Sequence, residues 1–411
     1  MRTRPTAAFF AVVYAFAVVM LGTTLPTPLY AIYAGDMGFG VTTTTVIFAV
    51  YAAGVIVALI AFGRASDVLG RRPLLLAGAA LSLASALVFV TAGPEWQLIV
   101  GRVLSGLSAG IYAGAATAAV IESAPPAWRN RAPAVATAAN IGGLGLGPLI
   151  AGLLAQWGPA PLRTPFLLDI VLLAVVFVGL WLIPEPNALV RDAPGRERAR
   201  ISVQRLSVPP EVRTVFTRAA IAAFAGFAVM GTFTGVTPSF MSHIVGIDSH
   251  AAAGLVVALL FLASATTQIV VRGMPTETAL VVGCAILVAG VGVVVGGLLA
   301  ASMTLLVLGA LIGGVGQGMS FSKGLAAVVA ASPAARRGEV TSTYFVVAYV
   351  AISLPIVGQG IAAAHWGLRT AGVAFNIGVA ALALLALVLT VIEVRRTPGT
   401  CLLYTSPSPR D

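Results

Sequence analysis

Charge is what this chain has least of: Asp, Glu, Lys and Arg make up 9% of 411 residues, whereas 59% are hydrophobic. A soluble globular chain carries about 25% charged residues, so an ordinary water-facing surface is excluded, and the mean hydropathy of +1.00 agrees. Cysteine is nearly absent: Cys284 lies inside an apolar run and Cys401 in the tail, so no disulfide framework is implied. The three histidines, His243, His250 and His365, are scattered near the ends of apolar runs with no metal-ligand spacing. No G-x-x-x-x-G-K-(S/T) loop exists to cradle a nucleotide phosphate. Enzymatic and ATP-driven functions are therefore disfavoured, and neither a cofactor nor a metal is expected. The formal net charge of +10 does not indicate nucleic acid, because the arginines sit at the ends of apolar runs and form no continuous basic stripe.

What the chain has instead is long apolar runs, at about 7–33, 41–63, 73–92, 96–123, 133–156, 165–184, 214–241, 250–271, 277–300, 302–331, 339–364 and 368–393. A run of about 20 apolar residues spans a bilayer as a helix, and at these lengths a helix is the only structure that satisfies every backbone group inside lipid. The start, Met1-Arg2-Thr3-Arg4, imitates a secretion signal, but its apolar stretch continues to about Tyr33 without a small-residue cleavage site. Arginine placement orients the helices. With the N-terminus cytoplasmic, the outer loops hold only Arg163 and Arg369, while Arg64, Arg71, Arg72, Arg129, Arg131, Arg336, Arg337 and others fall inside. The expected class is an all-α protein of the cell membrane, with twelve transmembrane helices and both termini cytoplasmic.

The one sizeable polar stretch, 185–213, divides the chain into six-helix halves, 1–184 and 214–394, followed by a tail at 395–411. A faint repeat crosses it at an offset of about 208 residues: Pro148-Leu149-Ile150-Ala151-Gly152 answers Pro355-Ile356-Val357-Gly358, and Trp157-Gly158 answers Trp366-Gly367. Residues 401–411 are unrelated in style to what precedes them and read like an in-frame translation of a common sequencing adapter, so they are set aside from fold and function.

Between spans 2 and 3 the chain reads Gly63-Arg64-Ala65-Ser66-Asp67-Val68-Leu69-Gly70-Arg71-Arg72. This resembles the signature loop G-x-x-x-D-x-x-G-R-(R/K) of major facilitator superfamily transporters. Arg102-Val103-Leu104-Ser105-Gly106-Leu107-Ser108-Ala109-Gly110 in span 4 resembles the R-x-x-x-G-x-x-x-G motif of proton-driven members. In span 5, Gly143, Gly147, Pro148 and Gly152 resemble the antiporter motif of the drug-exporting members, and Pro26-Thr27-Pro28 in span 1 resembles their P-x-P element. The resemblance implies two pseudo-symmetric six-helix bundles that rock about a central site. It also implies a small-molecule substrate exported by alternating access, protons as the coupling ion, a bilayer as surroundings, and a chain that works as a monomer.

It further implies that Asp67 meets the start of span 11, where Arg336 and Arg337 stand, and latches the cytoplasmic side. Intramembrane charge is costly and usually functional, which makes Arg102, Asp169, Glu122 and Lys323 the residues of interest. Arg102 is either a coupling charge or half of a structural ion pair with Asp169. Asp169 is a proton-site candidate, and Glu122 is a second one or an interfacial charge near Arg129 and Arg131. Lys323 either attracts an anionic substrate or snorkels to the interface. Arg102, Tyr112, Asn140, Phe233, Gln317 and Lys323 are the expected cavity residues. Span 1 has no acidic residue between Met1 and Gly35, unlike many drug–proton exporters. The leading expectation is proton-coupled efflux of lipophilic or amphipathic molecules; the alternatives are a carrier of an anionic metabolite and a non-transporting membrane protein or channel.

Overall fold

A computed structural model describes residues 5–63, 68–186 and 204–396. All twelve expected spans appear as helices long and apolar enough to cross a membrane. We number them α1 (Pro5–Thr24, continued by Tyr30–Met37), α2 (Val41–Phe62), α3 (Arg71–Val90), α4 (Glu95–Glu122), α5 (Ala132–Trp157), α6 (Thr164–Leu182), α7 (Arg213–Gly235), α8 (His250–Val270), α9 (Thr276–Ala300), α10 (Met303–Ala331), α11 (Arg337–Trp366) and α12 (Leu368–Arg396). Pro26 and Pro28 each remove a backbone donor, and there α1 tightens into a short 3-10 turn, Thr27–Leu29, before resuming. Hydroxyls beside the break bond other carbonyls: Thr23 Oγ1 donates to Met20 O at 2.7 Å, and Thr24 Oγ1 donates to Leu144 O of α5 at 2.9 Å. Pro148, by contrast, sits within an unbroken α5.

The end of the bundle at which 186 and 204 meet the helices is here called the linker end; the opposite end is the far end. At the far end one apolar core joins both halves. Leu25, Leu29, Tyr33, Ile47 and Phe166 of the first half share it with Phe233, Phe240, Val256, Leu260 and Ile356 of the second. Toward the linker end that core divides. Phe9, Phe16, Leu59, Tyr112 and Leu180 pack together in the first half, and Val212, Phe216, Phe321, Val328 and Tyr344 pack in the second. The halves thus share one core at the far end and keep distinct clusters at the other, bridged there by Phe345 of α11, which packs against both.

One polar strand crosses the linker end. The Gln204 amide donates to Ile60 O of α2 at 2.8 Å, and the Ser207 amide donates to Thr343 Oγ1 of α11 at 3.1 Å. Arg336, at the start of α11, donates to Ser207 Oγ at 2.5 Å. The strap therefore ties the last turn of α2 to the first turns of α11.

Candidate functional site

The far-end seam is built on the motif of α5, whose glycines face in two directions. A Cβ at Gly143 or Gly147 would collide with the α1 backbone at Ala17 and Leu21, whereas one at Gly152 would collide with the His250 carbonyl of α8. The return contact comes from Gly254 of α8, which leaves no room for a Cβ against the Pro148 carbonyl. Missing side chains let backbones approach closely in membranes, so α5 rests tightly on α1 of its own half and on α8 of the other. The related pair, α2 and α11, closes the other side of the seam, with Thr42 Oγ1 donating to Gly360 O at 3.1 Å.

Arg102 lies on α4 within the far half of the bundle and is 1% exposed. Its Nε donates to the Tyr30 hydroxyl and one terminal nitrogen donates to Thr23 O at 2.6 Å. The rings of Tyr30, Phe48 and Tyr51 surround the guanidinium at 5.2–5.9 Å, a cation–π arrangement. The remaining nitrogen, Nη2, has no partner among the described residues. The glycines of this motif allow close packing: a Cβ at Gly110 would lie 2.7 Å from Val55 O, so α4 rests on α2. Tyr51 belongs to an apolar cluster against which Tyr349 of α11 packs, so the arginine's surroundings extend into the second half.

Asp169 is 2% exposed, and its Oδ1 has no hydrogen-bond partner among the described residues. It packs on α1, where a Cβ at Gly22 would lie 2.7 Å from Oδ2. The structural ion pair between Arg102 and Asp169 is not formed. They hold neighbouring residues of α1 instead, the arginine on the Thr23 carbonyl and the carboxyl on Gly22, just before the break in that helix.

The other sequence candidates divide. Glu122 has a different partner from the expected Arg129 or Arg131: it accepts from Arg71 at both oxygens, 3.0 Å from Nε and 2.8 Å from Nη2. Arg71 and Arg72 are further held by Glu185, which accepts from the Arg71 amide at 2.6 Å and the Arg72 amide at 3.1 Å. This places a carboxylate at the N-terminus of α3, where the helix dipole favours it. Gly70 enters α3 at φ 104°, a left-handed backbone that suits glycine. Arg64 and Asp67 lie outside the described residues, and Gly63 ends α2 beside Gln204. Arg336 turns to Glu339 at 3.2 Å and Arg337 to Ser332 O at 3.3 Å.

Tyr112 is not a cavity wall. It is fully buried between α3 and α4 and donates to Leu75 O at 3.0 Å. Phe233 is likewise buried, in the shared far-end core. Gln317 accepts from Ser264 Oγ at 2.6 Å, and that hydroxyl accepts in turn from Gln268 Nε2 at 3.1 Å, giving a polar ladder that rises from the linker side of α8. Asn140 is half-buried on α5. Lys323 donates to Arg272 O at 3.1 Å and Met274 O at 2.5 Å, across the end of α8.

Sequence comparison matches short stretches of several transporters. One is the class D tetracycline resistance protein of Salmonella ordonez, 32% identical over 139 residues, which covers 33% of this chain and 34% of that protein. Another is the hexose carrier protein HEX6 of Ricinus communis, 30% identical over 175 residues, which covers 40% and 32%. The D-xylose-proton symporter-like 2 protein of Arabidopsis thaliana is 31% identical over 123 residues, covering 29% and 24%. The chain thus spans about a quarter to a third of the length of these curated relatives. In structure it is similar to the human organic anion transporter MFSD10 (TETRAN), with a TM-score of 0.66 at 19% identity over 95% of this chain and 100% of that one, a likeness of fold. The profile of the Major Facilitator Superfamily matches residues 12–274, and with twelve membrane-crossing helices the chain is a multi-pass membrane protein that belongs to this superfamily of transporters.

Proposed function

We propose that the protein exports lipophilic or amphipathic small molecules across the cell membrane in exchange for protons, with the linker end cytoplasmic. The arrangement described here is then the inward-facing one, because the halves share one buried core at the far end and keep distinct clusters, joined through Phe345 and Tyr349 of α11, toward the linker end. The observation that carries the coupling is that two buried ionisable residues, Arg102 of α4 and Asp169 of α6, bear on α1 without an ion pair between them. Arg102 holds the Thr23 carbonyl, Asp169 packs on Gly22, and each keeps one polar atom without a partner. A buried carboxylate with no counter-ion is costly, so a proton moving on and off Asp169 would change how α1 packs, and α1 contributes to the seam that must open. The apolar core shared by the halves, with Arg102 and the Gln268–Ser264–Gln317 ladder as its few polar anchors, suits an amphipathic cargo. Asp67, with Arg336 or Arg337, is the proposed latch of the opposite, outward-facing state.

The test is transport in inverted vesicles energised acid inside, with fluorescent amphipathic cations and organic acids as substrates. Substrate-dependent proton release from the lumen supports the reading. No proton movement with any substrate, from folded protein, refutes the coupling. A second reading, a carrier for an anionic metabolite, is favoured by Arg102 and Lys323 being buried cations with no carboxylate partner among the described residues; substrate flux without proton release would move it ahead.

A further inference from the structure

A second polar place lies away from Arg102 and Asp169, at the linker end of the α5/α8/α10 junction. A cavity of about 270 Å³ is lined by Thr137 of α5, by Gln268 and Arg272 at the end of α8, and by Ser322 and Lys323 of α10. Its walls come from both halves. Lys323 is only 7% exposed, and two of its three ammonium donors go to the Arg272 and Met274 carbonyls. The third has no partner among the described residues. Arg272 stands exposed at the rim, and none of the ion pairs among the described residues involves either cation. Thr137 and Ser322 donate to their own helices, at Pro133 O and Gly318 O, so their hydroxyl protons are already committed. Gln268 Nε2 spends one of its two protons on Ser264 Oγ, so the charged donors at the cavity are Lys323 and Arg272, with one neutral amide proton beside them.

A buried ammonium held only by neutral carbonyls is incompletely compensated. A carboxylate is the group that completes it, through charge-assisted hydrogen bonds to lysine and to a guanidinium whose fork matches its two oxygens. We infer that this cavity is an anion subsite at the mouth of the transport path, which takes the carboxylate end of an amphipathic acid. This rests on the reading of the chain as a transporter whose linker end faces the substrate supply. Because α5 supplies one wall and α8 and α10 the others, the subsite exists only while those helices stand as they do here, and rocking of the halves would dismantle it and release the anion. The Gln268–Ser264–Gln317 ladder leads inward from its wall, a polar route for the same group.

The experiment is equilibrium binding to the purified full chain in phosphatidylcholine nanodiscs, without gradient or transport. The probes are octanoate, octylamine and inorganic phosphate. Octanoate is expected to bind and octylamine not to. Arg272→Gln and Lys323→Met should each weaken octanoate by about tenfold or more. Since Lys323→Met removes bonds that finish α8, Thr137→Asp serves as the second variant: it keeps both cations, supplies a carboxylate from the facing wall, and should abolish octanoate binding in folded protein. Equal binding of octanoate and octylamine overturns the proposal, as does unchanged affinity in Arg272→Gln and Thr137→Asp. Phosphate binding with octanoate silent overturns it in favour of an inorganic-anion site, and displacement of octanoate by phosphatidylglycerol overturns it in favour of a lipid site. Loss of transport with octanoate binding intact would instead count against the coupling scheme and leave the subsite standing.

Discussion

Gly254→Ala should push the protein out of the arrangement described here. The new Cβ would meet the Pro148 carbonyl oxygen of the opposite half, and the next atoms are also backbone, at 3.0 Å from the Pro148 carbonyl carbon and 3.3 Å from Gly152 Cα. A flexible side chain could swing away, but two helix backbones cannot, so α5 and α8 must separate. Over-packing of this kind costs about 1–3 kcal/mol. The clash exists only where the far end is sealed, so the cost falls on that state and shifts the equilibrium between states by roughly 5- to 150-fold. The assay is thiol accessibility in a background lacking Cys284 and Cys401. A cysteine at Thr42, half-buried in the far-end seam, should label faster in Gly254→Ala, while one at Asn140 on the linker-end half of α5 should label more slowly. Unchanged labelling at both positions, in protein that remains folded, would refute the claim that the glycines of α5 and α8 set how tightly the far end closes.

Asp169→Asn, which keeps size but removes the titrating group, is expected to abolish substrate-dependent proton release while leaving substrate binding within about threefold; proton release at the wild-type rate would remove Asp169 from coupling. Arg102→Ala should also abolish proton-linked transport with expression intact, and loss of folded protein would assign it a structural role instead. For the two-oxygen Arg71–Glu122 pair, a double-mutant cycle of Arg71→Gln and Glu122→Gln in thermal unfolding should give a coupling of about 1–3 kcal/mol; additive effects would show the pair contributes nothing. Asp67→Asn should slow labelling of a far-end Thr42→Cys, since the latch would hold the outward-facing state, and no change would count against it.

The twelve helices were legible because lipid leaves few options: long apolar runs, and arginines gathered at alternate ends, specify crossings with little help from packing. Gly143, Gly147 and Gly152 were also legible as a motif, and a glycine row at helical spacing suits close packing. That the row has two faces, with α1 on one and α8 on the other, required the structure. Partner choice was the least legible. Glu122 was assigned to arginines close in sequence, yet it meets Arg71, 51 residues away, and nothing in the sequence marks Glu185 as the group that holds the start of α3. Tyr112 illustrates the same limit: a tyrosine amid small residues suggests a cavity wall, but the space opened by Gly78 turns its ring inward. Asp169 and Arg102 lie at similar depths, which invites an ion pair, and only their placement around α1 shows why none forms.

The strand from Gln204 to Ser207 makes one corner of the molecule unlike the rest. It fastens α2 to α11 at the linker end, and no backbone hydrogen bond among the described residues joins α5 to α8 there in the same way. Two plates stitched along one edge do not part evenly; they open like a book, with the spine at the stitch and the widest gap opposite. The spine here is α2 and α11, and the unstitched margin is α5 and α8, which touch through Gly145, Gly152 and Gly254. A molecule arriving from the linker side would be admitted along that margin, beside Lys323 and Arg272, rather than down the pseudo-symmetry axis.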